Sequence, residues 1–323
     1  MARSGLTDER ARDTLTMSRT ERPADGGESR RRRRLRQWLT ITLFVLPALV
    51  LFLLLVLAPI VIAGYASFFK WNGLGGPPTD YVGLDNFHKL FGDDVFHQDL
   101  RHGAILILLS LVVQLPLALG IALLLHQRFR GRAVFRVVFF APYVLSEVIA
   151  GVLFTILFDP ETGVKFAQGW LAEPSTVLYA LFVVLTWKYF GFHMIIYLAG
   201  RGNIPQELLD AAATDGATSW QQFRHVTLPL LGPTIRISVF LSVIGVIQLF
   251  DMVWVLTTGG PVHGSETMAV TLFNFGFKRF QVGYASAISM AMFAISLIFA
   301  LIYQRFVMRR DVQGAITAMG NQG

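Results

Sequence analysis

The sequence predicts an all-α integral membrane protein with six transmembrane helices. Three observations carry this. Of the 323 residues, 54% are apolar and only 15% charged, with a mean hydropathy of +0.53, whereas a soluble domain carries about 25% charge. Six segments are apolar over the roughly 20 residues that a helix needs to cross a hydrocarbon core about 30 Å thick. Lysine and arginine alternate between rich and poor connections along the chain. The apolar residues do not alternate with a period of two over ~10-residue strands, which excludes an outer-membrane barrel. Helices also satisfy their own backbone groups inside lipid.

Residues 1–37 are expected to form a disordered, basic, cytoplasmic N-terminal arm, with eleven arginines against six acidic residues. Residues 1–28 are polar and poor in aromatics, which predicts disorder. The run Ser29-Arg30-Arg31-Arg32-Arg33-Arg34-Leu35 resembles a twin-arginine export signal at first sight. The apolar stretch after it is too long for a signal h-region, lacks a small-residue cleavage site and is followed by five more spans. The run therefore reads as a topology signal and a contact for anionic lipid. No aromatic residue interleaves the arginines, so nucleic acid is not an expected partner.

The spans are expected at Leu39–Ala63, Ala104–Leu125, Val137–Phe158, Val177–Ala199, Arg236–Thr257 and Tyr284–Met308. Lysine plus arginine number 11 in the N-terminal arm, 4 in the 126–136 connection, 3 in 200–236 and 3 from Arg305 onward. The intervening loops 64–103, 159–176 and 258–283 hold 3, 1 and 2. Positive residues stay on the cytoplasmic side, so both termini are expected in the cytoplasm. The outer 64–103 loop, with five aspartates and three bases, reads equally as a partner contact and as a solvated connection. The expected organisation is the arm at 1–37, a six-span domain at 38–310 with a long cytoplasmic loop at 202–233, and a cytoplasmic tail at 311–323.

That loop is patterned. Pro205 can start a short helix over Gln206 to Asp215. Gly216 can end it, because glycine takes a left-handed bend at little cost. Ser219 can cap a second helix from Trp220 to Val226, and Pro229 closes the pattern. Leu208, Leu209, Ala212 and Ala213 fall near one stripe of the first helix. Two readings fit the residues: a docking element for another protein, or an amphipathic pair lying along the membrane.

The same loop resembles the signature of ABC importer permeases. It has an acidic residue, Ala-Ala, three residues, Gly, nine residues, a branched aliphatic, one residue and Leu-Pro, here Asp210-Ala211-Ala212, Gly216, Val226 and Leu228-Pro229. Asp210 stands where the family usually has Glu, and Val226 where it usually has Ile. The resemblance covers about residues 38–310. The stretches Trp187 to Pro205, Phe250-Asp251 through Pro261, and Phe277 with Gly283-Tyr284-Ala285-Ser286-Ala287 resemble its carbohydrate branch, the maltose-permease-like proteins. The resemblance implies a bacterial inner-membrane location and a loop that forms coupling helices in a cleft of a cytoplasmic ABC ATPase dimer. It also implies a second homologous permease, an extracytoplasmic sugar-binding protein and a sugar substrate, in size a di- or oligosaccharide.

The chain has no Gly-x-x-x-x-Gly-Lys-Ser/Thr phosphate loop. No catalytic function and no bound cofactor are expected of it, and the family places ATP and Mg in the separate ATPase. Cysteine is absent and seven histidines are scattered, so no metal site is expected. Tyr189 and Phe192 share one face of the fourth span with Leu185. Ser238, Ser242 and Gly245 make a small-residue stripe on the fifth, beside Gln248 and Asp251. Relatives line their sugar site from these two spans, which implies a substrate path over Tyr189, Phe192, Ser242, Gly245 and Gln248. Helix packing is the competing reading of such a stripe. Three ionisable residues fall within spans: Glu147, Lys188 and Asp251. Each is costly alone, so Lys188 is expected to pair with Glu147 or Asp251, by depth with Glu147. A phosphate-bearing solute such as glycerol-phosphate would want a base facing the path, and only Lys188 is available in the spans, which favours a neutral sugar. An ion-coupled secondary transporter would show inverted repeats and more spans, and a membrane enzyme would show a grouped acid, base or nucleophile.

Overall fold

The structure, a computed structural model, describes residues 26–127 and 129–308. Residues 1–25, Arg128 and the tail 309–323 lie outside the described residues, so most of the N-terminal arm and the whole 311–323 tail do too. The described chain divides into two compact units, one ending at Ile60 and the other beginning at Val61. The described residues of the first unit are helical: α1 (Gly26–Phe52), a π-helical turn at Leu53–Leu57, and the start of α2 (Ala58–Ala66). Residues 26–37 of the expected disordered arm are therefore helical, in keeping with the good helix propensity of arginine and glutamate. The apolar side chains Leu43, Phe44 and Leu55 are exposed.

The second unit is built from helices. α3 (Asp85–Phe91) and α4 (Asp94–Leu109) follow an irregular loop that holds one isolated bridge between Phe69 and Tyr81. A π-helical turn at Ser110–Gln114 joins α4 to α5 (Leu115–His126). Then come α6 (Arg132–Val144), α7 (Glu147–Leu157) and the long α8 (Val177–Gly202). The next connection holds α9 (Gln206–Thr214), α10 (Ser219–Gln222), a π-helical turn at Phe223–Thr227 and α11 (Leu228–Leu230). α12 (Gly232–Ile247), α13 (Asp251–Thr257), α14 (Met268–Phe273) and α15 (Val282–Tyr303) complete it.

Among the described residues, four helical stretches are long and apolar enough to cross a membrane: Arg36–Ala66, Asp94–His126, Val177–Gly202 and Val282–Val307. Two further pairs pass the same test but are sharply bent, Arg132–Val144 with Glu147–Leu157 at 97° and Ser219–Leu230 with Gly232–Ile247 at 65°. Three expected spans differ in detail. The second begins ten residues early, at Asp94, because Asp93 caps it by accepting from the Val95 N–H at 2.9 Å.

The third expected span is not one helix. Pro142 lies in the last turn of α6, Leu145 and Ser146 are extended, and Ser146 caps α7 by accepting from the Ile149 N–H at 3.1 Å. A proline near a helix end followed by a serine cap is a stop and restart. The fifth expected span is also interrupted. α12 ends at Ile247, Phe250 turns out of helical geometry at φ −129° and ψ −64°, and Asp251 opens α13.

Packing centres on α8. Leu181 and Val184 are fully buried with Met252, Val253 and Val270, which ties α8 to α13 and α14. On its other flank Met194 and Tyr197 meet Ala118 and Ala122 of α5, small residues that let the helices close up. Gly191 takes this furthest, since a Cβ there would sit 1.9 Å from the Phe139 carbonyl oxygen of α6. A separate cluster around Leu90, Phe96, Tyr284 and Ile288 joins α3, α4 and α15.

Candidate functional site

The two interrupted helices meet at one cavity. It has a volume of about 390 Å³, and all five residues read as a substrate path, Tyr189, Phe192, Ser242, Gly245 and Gln248, line it. Glu147 and Asp251 line it as well, each in the first turn of a helix that begins at a break. The sequence faces of α8 and α12 explain why these side chains converge. Tyr189 and Phe192 lie three apart on α8, and Ser242 and Gly245 three apart on α12, as neighbours on one helix face do. A Cβ added at Gly245 would meet open space, so this glycine borders the cavity and is not a packing contact within the chain.

Aromatic rings form one wall. Tyr143 stacks on Phe192 with ring centres 4.7 Å apart and planes 17° apart, and meets Tyr189 edge-on at 6.1 Å. The Tyr189 hydroxyl donates to Glu147 Oε1. Gln114, Ser110, Tyr143 and His193 were not singled out from the sequence, yet all four line the cavity. Gln114 carried a legible signal, since an amide within an apolar span is costly unless it faces a partner or a cavity. Tyr143 carried none, because its position depends on the α6–α7 break, whereas His193 follows Tyr189 by four on the regular α8 and shares its helical spacing.

Lys188 is not paired as the sequence suggested. It is 2% exposed, and its Nζ donates to the Leu145 carbonyl oxygen at 2.6 Å. No ion pair joins it to Glu147 or Asp251 among the described residues. The reason is the break itself. A helix end leaves its last carbonyls without intrahelical partners, and a cation near a helix C-terminus is favourable. Lys188 serves that end, and Glu147 is left to the Tyr189 hydroxyl. No lysine or arginine lines the cavity among the described residues.

The loop at 202–233 folds as the helix–turn–helix expected. α9 ends in a Schellman arrangement: Gly216 is left-handed at φ +81°, its N–H donates to the Ala213 carbonyl at 3.0 Å, and the Ala217 N–H reaches the Ala212 carbonyl at 2.9 Å. The second helix is capped one residue earlier than expected. Thr218 Oγ1, not Ser219, accepts from the Gln221 N–H, and Gln221 Oε1 accepts from the Thr218 N–H at 2.7 Å. Both residues precede a glutamine by three, but Gln222 donates to the Ala217 carbonyl at 3.0 Å instead and does not close a box on Ser219.

Of the signature residues, Asp210, Ala211, Gly216 and Pro229 are exposed, and Ala212, Val226 and Leu228 are half-buried. The Asp210 carboxylate accepts from Gln206 Nε2 at 3.1 Å. Leu209 is the buried residue of α9, whereas Leu208 is 45% and Trp220 65% exposed. The apolar stripe is thus split, with Leu209 packed inward and Leu208 left open.

Fold and cavity together define a multi-pass membrane transport subunit with its polar site at two helix breaks. The chain belongs to the binding-protein-dependent transport system inner membrane component family, whose model matches residues 114–312. A probable ABC transporter permease protein of Pyrococcus horikoshii is 34% identical over 81% of this chain and 94% of its own length. The diacetylchitobiose uptake system permease protein of Streptomyces coelicolor is 31% identical over 88% of this chain and 87% of its own. A crystal structure of a bacterial ABC transporter involved in import of the acidic polysaccharide alginate has a chain of the same fold, with a TM-score of 0.76 at 22% identity, covering 87% of this chain and 99% of that one.

Proposed function

We propose that the chain is the permease subunit of an ATP-driven ABC importer for a sugar, in size a di- or oligosaccharide. It crosses the membrane six times, with each bent or broken pair counted as one span and both termini in the cytoplasm. With a second, homologous permease it forms the path for a sugar delivered by an extracytoplasmic binding protein. The 202–233 loop docks on a cytoplasmic ABC ATPase dimer, which binds ATP and Mg and drives the cycle.

The observation that carries the reading is the cavity. Its volume lies within the few hundred to about 1,000 Å³ common for small-molecule sites. Its wall combines stacked aromatic rings with hydroxyl, amide and carboxylate groups, which suits the apolar faces and hydroxyl edges of a saccharide. Broken helices at membrane depth are tolerated where they line such a cavity. Lys188 is committed to the Leu145 carbonyl, and no lysine or arginine lines the cavity among the described residues, which disfavours glycerol-phosphate. Diacetylchitobiose uptake by the Streptomyces coelicolor system supports a saccharide cargo.

The test is to fill the cavity. Gly245→Leu puts a branched side chain into open space, so the variant is expected to assemble with its partners at wild-type yield while saccharide uptake by the reconstituted complex falls more than tenfold. Uptake at the wild-type rate would place the path elsewhere.

A further inference from the structure

We propose that Glu147 and Asp251 make this cavity a charge filter, which admits uncharged or amine-bearing saccharides and excludes those that carry carboxylates. The inference rests on the saccharide-path reading above and adds the class of cargo. Both carboxylates line the same cavity, with no lysine or arginine beside them among the described residues. Lys188, the base nearest to hand, is buried and bonded to the Leu145 carbonyl. Glu147 accepts one hydrogen bond, from Tyr189, and keeps further lone pairs for a ligand. The Asp251 carboxylate is exposed and makes no hydrogen bond to another described residue. An independent observation points to a polar ligand in the same place: His193 is 4% exposed, lines the cavity, and its Nδ1 has no partner.

The physics gives the filter its sign. Two carboxylates set against the one ammonium of Lys188, whose charge acts on Glu147, leave the partly desolvated space net negative, so it repels a third carboxylate, and the repulsion grows as water is displaced. Toward a hydroxyl or an ammonium the same groups are strong charge-assisted acceptors. A saccharide without acidic groups therefore gains at Glu147 and Asp251 what a uronate loses there.

The chain has no cysteine, which makes the test direct. A Gly245→Cys chain, assembled with its partner permease and ATPase, is labelled with a cationic and an anionic methanethiosulfonate of matched size. Rates are corrected for each reagent's reactivity toward a free thiol. The cationic reagent is expected to react roughly tenfold faster or more, and the preference should collapse toward unity when Glu147→Gln and Asp251→Asn are added. Maltotriose, cellobiose and diacetylchitobiose are then offered as protectants beside trigalacturonate. At least one uncharged saccharide should slow labelling, and trigalacturonate should do so only in the Gln/Asn background. A charge preference that survives loss of both carboxylates would overturn the filter while leaving the path intact. Charge-selective labelling that no saccharide slows in either background would sink the saccharide path, and the filter with it.

Discussion

Lys188 illustrates how one residue's role depends on a feature far from it in sequence. Three in-span charges invite pairing, and depth favours Glu147, but the lysine goes to the carbonyl of Leu145. The backbone there is free because the helix stops after Val144 and restarts at Glu147. Removing the ammonium takes a charge-assisted hydrogen bond from the part-buried Leu145 carbonyl, which costs about 1–3 kcal/mol. Lys188→Met should therefore lower the thermal midpoint of the solubilised complex by that equivalent, whereas Glu147→Gln, which keeps an acceptor for Tyr189, should lower it much less. Equal losses for the two variants would restore a direct pair. That Tyr189, Phe192, Ser242 and Gly245 share one cavity was legible because α8 and α12 are regular where they sit, so helical spacing places them. Tyr143 was not legible, because no periodicity carries across the bend between α6 and α7, whereas His193 follows Tyr189 by four on α8 and was open to the same helical spacing.

At the scale of elements, apolar length located the long helices α4–α5, α8 and α15 but not the breaks in the third and fifth expected spans. Mean hydropathy averages over a Pro142-to-Ser146 stop and a Gln248-to-Phe250 turn without registering either. The local signals were present: a proline, a serine cap, and an acidic residue opening the next helix in each case. The helix pair at 202–233 was read more closely, because glycine chemistry fixes its turn, although its second cap is Thr218 and not Ser219. Gly216 supplies the positive φ and Thr218 closes a capping box with Gln221. Thr218→Ala should cost about 1 kcal/mol at that helix start. Hydrogen exchange over residues 219–227 should accelerate accordingly, while α9, held by its own Schellman turn, should exchange as before. Faster exchange in both helices would mean that the pair folds as one unit and not as two separately capped pieces.

For the whole molecule, the account joins a cavity within the helices to an exposed helix pair at the end of α8. The long α8 runs from Val177 to Gly202 and carries Tyr189 and Phe192 into the cavity. α9 starts four residues after it ends, and α11 leads within two residues into α12, which carries Ser242 and Gly245. Only short connections therefore separate the helix pair from the two helices that carry these walls. The central claim is that this pair is the dock for an ATPase that drives the cavity. The most direct measurement co-expresses the chain with its partner permease and ATPase and compares assembly and ATP hydrolysis between wild type and Asp210→Lys combined with Gly216→Pro. The lysine reverses an exposed charge, and the proline cannot adopt the positive φ that ends α9. The account predicts that the three wild-type subunits co-purify and that the double change abolishes assembly or coupled hydrolysis while the chain itself still inserts in the membrane. A double variant that assembles and hydrolyses ATP as wild type does, or a chain that transports solute with no ATPase present, would contradict it.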